Sequence, residues 1–421
     1  MTKPTKIALP HCMQMPGPMQ KTLRFGQFTL NPETATLSGA TGPLPLRPKA
    51  FDLLCYLARH PGRVVSKTEH IETVWRNIIV TDNALVQSIR DVRTALNDGG
   101  QEILKTVARR GYLFAAPVVE IEVPRAVLPP ANRKTGALDL MPADLTQEIH
   151  YARAPDGVRI AWARVGQGPP LMRAANWLTH LEYDWENPLR VSGLINLAKN
   201  YTLIRYDPRG TGLSDWDVAD LSLDAWVSDF ETVVDAAGLK RFPVLAASQG
   251  CAVSISYAVR HPGRISHLVL LGGFALGGNK RSRQEKEKRT AMVTLMRMGW
   301  GADDPAFRQL FTSVVAPEAT KEHADLFNEL QRRTTSPECA ARYFETVGDF
   351  DVRHLLGRVN VPTLVMHLRD DLLNPFEAGR EMAAGIPGAR FVALQGKNHF
   401  MLPGEPATIR FREEIELFLN R

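Results

Sequence analysis

VLAASQGCAVSISYAVRHP, Val244 to Pro262, decides how the larger part of this 421-residue chain is read. An apolar run ends at Ser248, the small residues Ala246, Ala247 and Gly250 surround it, and a helical pattern starts at once. A serine hydroxyl is a poor nucleophile until a base removes its proton. A tight strand-to-helix turn lifts such a serine clear of the backbone, and small residues two positions to either side prevent clashes. Ala246 and Gly250 meet that need, Ala246 standing where glycine is commoner. The turn also sets Ser248 near a helix N-terminus, whose N–H groups can face an oxyanion.

Outward from this turn, apolar runs alternate with helical patterns from Glu148 to Arg421. That alternation predicts an α/β domain with a doubly wound sheet. LMRAA (171–175), YTLIRY (201–206), HLVLLGGFA (267–275), VPTLVMHL (361–368) and FVALQG (391–396) read as strands, and ATIRFREEIELFLN (407–420) as a closing helix. DPRGTGLSD (207–215) is rich in glycine but lacks the Lys-Ser/Thr ending of a phosphate loop. A base is expected after the last strand, where His399 stands in GKNHF. An orienting acid is expected after the preceding strand, where Asp370 and Asp371 compete. Between about 278 and 350 the strands are interrupted by helical patterns: KRSRQEKEKRT (280–290) reads as a solvated face, AMVTLMRMGW (291–300) as an apolar one.

This order of motifs resembles the α/β-hydrolase fold over about two thirds of the chain. The resemblance implies a triad in the chain order Ser248, Asp371, His399, with Asp371 in the acid position. It also implies two backbone oxyanion donors, Trp177 and Gln249, although Ala175-Asn176-Trp177 stands where His-Gly is common. The interruption at 278–350 corresponds to a helical cap over the pocket. NWLTHLEYDW (176–185) would then line the pocket mouth with Trp177 and Trp185, which suits an apolar or aromatic ligand; ordinary core or lid packing is the competing reading.

The other end of the chain differs in charge. Met1 to Glu120 carries 15 Lys/Arg against 9 Asp/Glu, whereas the remainder carries 36 of each, so the whole excess of +6 lies in the first segment. A phosphate-binding module requires such a surplus. LRFGQFTLNPETATLSGATGPLPL (23–46) predicts short antiparallel strands. RPKAFDLLCYLARHPGRVV (47–65) predicts a helix with Phe51, Leu54, Leu57 and Ala58 on one face, and Ser66 caps a second helix. In TDNALVQSIRDVRTALND (81–98), Leu85, Ile89, Val92 and Leu96 face a core while Asn83, Gln87, Arg90, Asp91 and Thr94 face out. ILKTVARRGYLF (103–114) predicts a hairpin with two arginines near its tip.

These segments resemble an OmpR/PhoB-type winged helix-turn-helix, an α+β domain. The resemblance implies a third helix in the major groove of double-stranded DNA, with base or backbone contacts from Asn83, Gln87, Ser88, Arg90 and Arg93. It places Arg109 and Arg110 of the wing at the minor groove. Asn and Gln can read adenine edges, Arg can bond guanine or phosphate, and wing arginines suit a narrow groove. Asp91 departs from the usual basic residue there.

The expected domains are a disordered tail (1–21), the winged helix (22–119), a linker containing VPRAVLPPANRKTG (120–147) and the hydrolase-like domain (148–421). Four scattered cysteines offer neither metal spacing nor a disulfide framework, and no run approaches a membrane span or a signal peptide. No cofactor and no metal is implied, and the cytoplasm is the expected compartment. The whole is read as a one-component transcriptional regulator, with a pocket domain sensing a small ester, lactone or amide and no receiver domain before the winged helix. A serine hydrolase with an accessory DNA-binding head is the alternative, and hydrolysis that ends the signal is a third reading. A homodimer is expected, since such winged helices occupy paired half-sites.

Overall fold

The structure, a computed structural model, describes residues 19–32, 36–40, 42–44, 46, 48–74, 78–80, 82–124, 145–300, 302 and 305–420. It divides into two compact units, Met1–Val74 with Leu85–Thr135, and Trp75–Ala84 with Gly136–Arg421.

In the first unit, strands β1 (Met19–Phe25), β2 (Phe28–Asn31), β3 (Thr36–Gly39) and β4 (Gly42–Pro43) form an antiparallel meander. Helix α1 (Pro48–Ala58), strand β5 (Val64–Val65) and helix α2 (Lys67–Val74) follow. Strand β6 (Ile78–Val80) belongs to the second unit's sheet; helix α3 (Asp82–Ala95) and the hairpin β7 (Leu104–Val107)–β8 (Gly111–Phe114) complete the winged helix. Leu54 and Leu57 of α1 and Leu85, Ile89, Val92 and Leu96 at or beyond α3 are all buried, as the helical spacing requires. Ser66 Oγ accepts the Glu69 N–H at 3.1 Å and caps α2. Asp98 accepts from the N–H groups of Glu102, Ile103 and Leu104, which ties the end of α3 to β7. Gly111 is required where it stands: its φ is +134°, and a Cβ there would lie 2.0 Å from the Val65 carbonyl.

The boundaries differ from the expected ones. Val119–Pro124 is a strand, β9, paired antiparallel along β1 with Met19 opposite Pro124. Tail residues 19–21 and linker residues 120–124 therefore belong to the sheet. VEIEV alternates well enough to pair, but the prolines beyond it hide the signal. Residues 1–18 and 125–144 lie outside the described set.

His70 in α2 is fully buried, neither ring nitrogen has a hydrogen-bond partner among the described residues, and burial pushes its pKa down to about 4. Below pH 6.5 the unfolded chain takes up a proton here that the folded chain refuses until about pH 4. Stability of this unit therefore falls as pH falls through that window, by on the order of 3 kcal/mol when complete. His70→Phe is expected to flatten the acid limb of Tm against pH; an unchanged limb would refute the assignment.

The second unit is built on one sheet. β10 (Gln147–Arg153) and β11 (Arg159–Val165) form an antiparallel hairpin, followed by β12 (Pro170–Arg173), helices α4 (Tyr183–Glu186) and α5 (Pro188–Asn200), and β13 (Thr202–Tyr206). Then come α6 (Leu223–Ala236), β14 (Phe242–Ala247), α7 (Gly250–Arg260) and β15 (Ile265–Leu271). Five helices intervene: α8 (Gly278–Arg281), α9 (Arg283–Gly299), α10 (Ala306–Val315), α11 (Lys321–Thr334) and α12 (Pro337–Gly348). α13 (Arg353–Leu356), β16 (Thr363–Leu368), α14 (Phe376–Gly385), β17 (Arg390–Leu394) and α15 (Pro406–Leu419) close the chain. The sheet order is β17-β16-β15-β14-β12-β13-β11-β10-β6, parallel from β13 through β17. Val244 and Ala246 of β14 pack on one face with α6 and α7, Leu245 and Ala247 on the other with α5 and α15, as strand alternation dictates.

The DPRGTGLSD turn has a structural use. The Asp207 carboxylate accepts the N–H groups of Leu181 and Leu213, and a Cβ on Gly212 would strike Asp207 Oδ2 at 2.1 Å. Arg209 is fully buried and holds Asp229 through Nε and Nη2 and Asp156 through Nη1. Breaking such a buried pair from one side costs several kcal/mol.

Candidate catalytic site and DNA-reading surface

Ser248 sits between β14 and α7 with φ +53°, a conformation that costs a non-glycine residue energy and marks the elbow. Its N–H donates to the Leu271 carbonyl at 2.9 Å, fixing the turn to the end of β15. Just beyond that contact Gly272, φ +57°, passes so close to His399 that a Cβ would lie 3.2 Å from the imidazole Cε1. His399 Nδ1 and Asp371 Oδ2 are 2.6 Å apart. Asp371 also accepts the N–H groups of Leu373 and Asn374. Burial alone would raise its pKa, but the His399 charge and hydrogen bond, with the Asn374 N–H, outweigh it and hold the carboxyl below the usual range. Asp370 is exposed. Among the described residues Ser248 Oγ makes no hydrogen bond to His399.

The predicted oxyanion donors lie beside the elbow. A Cβ on Gly250 would come within 2.7 Å of the Ala175 carbonyl, so the turn after β12 presses against the start of α7. Among the described residues the backbone N–H groups of Trp177 and Gln249 donate to no carbonyl. Trp177 packs against Trp300, Phe311, Tyr343 and Phe344 of the cap. Trp185 does not reach the pocket: it lies in the core between the sheet and α5, its indole N–H bonded to Gln147 Oε1 at 2.7 Å.

Helices α8, α9, α10 and α12 contribute residues around the elbow. The space beneath them beside Ser248 and Gln249 is only about 30 Å³, lined by Trp177, Phe274, Phe311 and Phe344. Arg289 also lines it, from the run expected to be solvated. Its guanidinium lies 3.8 Å from the Phe344 ring centroid and donates to the Asn279 side chain, and burial, then Arg281, pushes its pKa down to about 10. The overlooked signal was spacing: Arg281, Glu285 and Arg289 continue the helical stripe of Val293, Met296 and Trp300. No group of three His, Cys, Asp or Glu side chains among the described residues could hold a metal ion.

On the winged helix, Arg90, Arg109 and Arg110 are exposed, the last two in the tight turn between β7 and β8. Gln87 is half-buried and donates to Asp91 Oδ1 at 2.8 Å. Ser88, given a base or backbone contact by the resemblance, is buried, because it lies three residues from Leu85 and four from Val92. Arg93 is spent within the fold, donating to the Leu104 carbonyl, Gln101 and Thr106, so it joins α3 to the wing. Asn83 lies in the first turn of α3, with its side chain outside the described set.

The chain belongs to the alpha/beta hydrolase fold family, whose model matches residues 183–406. Residues 41–114 match the family described as transcriptional regulatory protein, C terminal, so the chain fuses a regulator's DNA-binding domain with a hydrolase-fold domain. Among relatives, the AB hydrolase superfamily protein YisY of Bacillus subtilis is 27% identical over 258 residues, 59% of this chain and 92% of that one. The transcriptional activator CadC of Escherichia coli is 35% identical over 103 residues, 24% of this chain and only 20% of that protein. An esterase from Exiguobacterium antarcticum superposes with a TM-score of 0.54 at 24% identity, covering 64% of this chain and 99% of that one. No helix among the described residues is long and apolar enough to cross a membrane.

Proposed function

We propose that this protein is a one-component, cytoplasmic transcriptional regulator whose hydrolase-fold domain binds and cleaves a small ester, lactone or amide. The observation that carries the reading is the Asp371–His399 pair beside a serine held at positive φ, on the same chain as a basic DNA-reading head. In the proposed reaction His399 Nε2 takes the Ser248 proton as Oγ attacks the carbonyl, and Asp371 stabilises the imidazolium through Nδ1. The N–H groups of Trp177 and Gln249 bond the tetrahedral oxyanion. His399 then protonates the leaving group, and water, deprotonated by the same imidazole, releases the acyl group and restores Ser248. The aromatic lining selects an apolar body, and Arg289 favours a ligand with a polar or anionic group near the scissile bond. Gln87, Arg90, Arg109 and Arg110 are the proposed DNA contacts, in a homodimer on paired half-sites.

A ligand shifts DNA binding only by its differential affinity for the two states of the regulator. The test is promoter binding by wild type and Ser248→Ala across esters and lactones: a ligand response in either supports sensing, and DNA binding absent under every condition refutes the regulator. The second reading, a hydrolase merely localised by its head, is favoured by the strained Ser248, which a pure receptor does not need. Turnover with no ligand effect on DNA binding would select it.

A further inference from the structure

A larger cavity lies on the other face of the sheet. It occupies about 280 Å³ between α5, α15 and the β-strands and shares no lining residue with the space under the cap. At ~30 Å³ per displaced water it has room for roughly nine water-sized groups. Leu245, Ala247 and Leu271 form its floor and Phe411 and Ile415 a wall, so most of it is apolar. Four cationic side chains also line it, Arg173, Arg190, Lys199 and Arg412, against one carboxylate, Glu416.

Arg173 is the unusual one. It ends β12 in the middle of the sheet, and among the described residues its guanidinium makes no hydrogen bond and no ion pair. Arg190, by contrast, donates to the Leu178 carbonyl and lies over the Phe400 ring, and Arg205 is paired with Asp184. Arg173 is withdrawn from bulk water, and its burial and the nearby Arg190 and Arg205, against Asp184, push its pKa down to about 9. It therefore stays charged at neutral pH, and the carboxylate that acts on it, Asp184, is already paired with Arg205. A withdrawn, unpaired guanidinium is costly, and a planar carboxylate is its best geometric match.

We propose that this cavity is a second ligand site, taking a small organic monocarboxylate whose apolar body lies along Leu245 and Leu271 and whose carboxylate pairs with Arg173. The site touches the catalytic machinery from behind: Ala247 precedes the elbow serine, and His399, Phe400 and Met401 form part of the lining. Its occupant is therefore in contact with the loop that carries the base. The inference does not depend on the proposed reaction under the cap.

Octanoate is the probe, with octan-1-ol as its uncharged counterpart, and binding to the full chain is measured by calorimetry. Octanoate is expected to bind at least about tenfold more tightly than octan-1-ol, the ratio a charge-assisted bond supplies. Arg173→Met is expected to abolish that preference. Gly193→Phe is expected to abolish octanoate binding by filling the cavity, since a Cβ at Gly193 meets nothing within 4 Å. Circular dichroism checks that both variants are folded, and Ser248→Ala is expected to bind octanoate as wild type does. Equal binding of acid and alcohol by the wild type, no octanoate binding at ~10 mM, a retained preference in folded Arg173→Met, or retained octanoate binding in folded Gly193→Phe overturns the proposal. So does loss of binding in Ser248→Ala, which would move the ligand under the cap.

Discussion

Replacing Ser248 with alanine is expected to abolish labelling by a fluorophosphonate and to reduce hydrolysis of p-nitrophenyl acetate by about 10³-fold or more. The size follows from the chemistry: without Oγ there is no acyl intermediate, and only oxyanion stabilisation and binding remain. Asp371→Asn is expected to reduce turnover by about 10⁴-fold while leaving fluorescence and Tm nearly unchanged, because an amide at that position favours the wrong His399 tautomer. Labelling that survives in Ser248→Ala would show that another nucleophile reacts. Labelling absent from the wild type would leave a pocket that binds without turnover.

Removing Arg90, Arg109 and Arg110 together is expected to flatten the salt dependence of DNA binding. Each contributes about 0.9 to the slope of log K against log salt if it meets a phosphate, so the triple alanine variant should lose roughly 2 to 3. A random-sequence duplex suffices, since the phosphate contribution does not require the operator. Ser88→Ala is the internal control: its hydroxyl is buried in the module, so the slope should not move. Arg93→Ala is expected to weaken binding by loosening the wing, because its guanidinium joins α3 to β7. A wild-type slope in the triple variant would rule out these residues as the electrostatic contact.

Regular periodicity was the most legible part of this sequence. The apolar positions of α1 and α3 could be read because a 3.6-residue repeat leaves little freedom in which side faces inward. The elbow could be read because a turn at positive φ demands small neighbours at fixed offsets. Residues whose role depends on side-chain reach were not legible. Arg93 was read as facing DNA because an arginine on a helix offers no local sign that its guanidinium bends to a carbonyl on another strand. Whether Trp185 lined the pocket or packed in the core stayed open because its indole N–H partner, Gln147, lies 38 positions away. Arg173 drew no reading of its own within the strand LMRAA, and only the assembled sheet shows that its guanidinium lines a cavity without a hydrogen-bond partner among the described residues. Charge density hid Arg289: in a run so rich in Lys, Arg and Glu, the two arginines turned inward, Arg281 and Arg289, are marked solely by the apolar stripe they continue.

The space beside Ser248 holds barely one water. A guest of more than a few atoms reaches Ser248 only by displacing side chains that line this space, Trp177, Phe311 and Phe344 among them. The contacts such a guest displaces are the same ones that hold the cap helices against Trp177, so ligand affinity and the packing of the cap draw on one set of aromatic contacts.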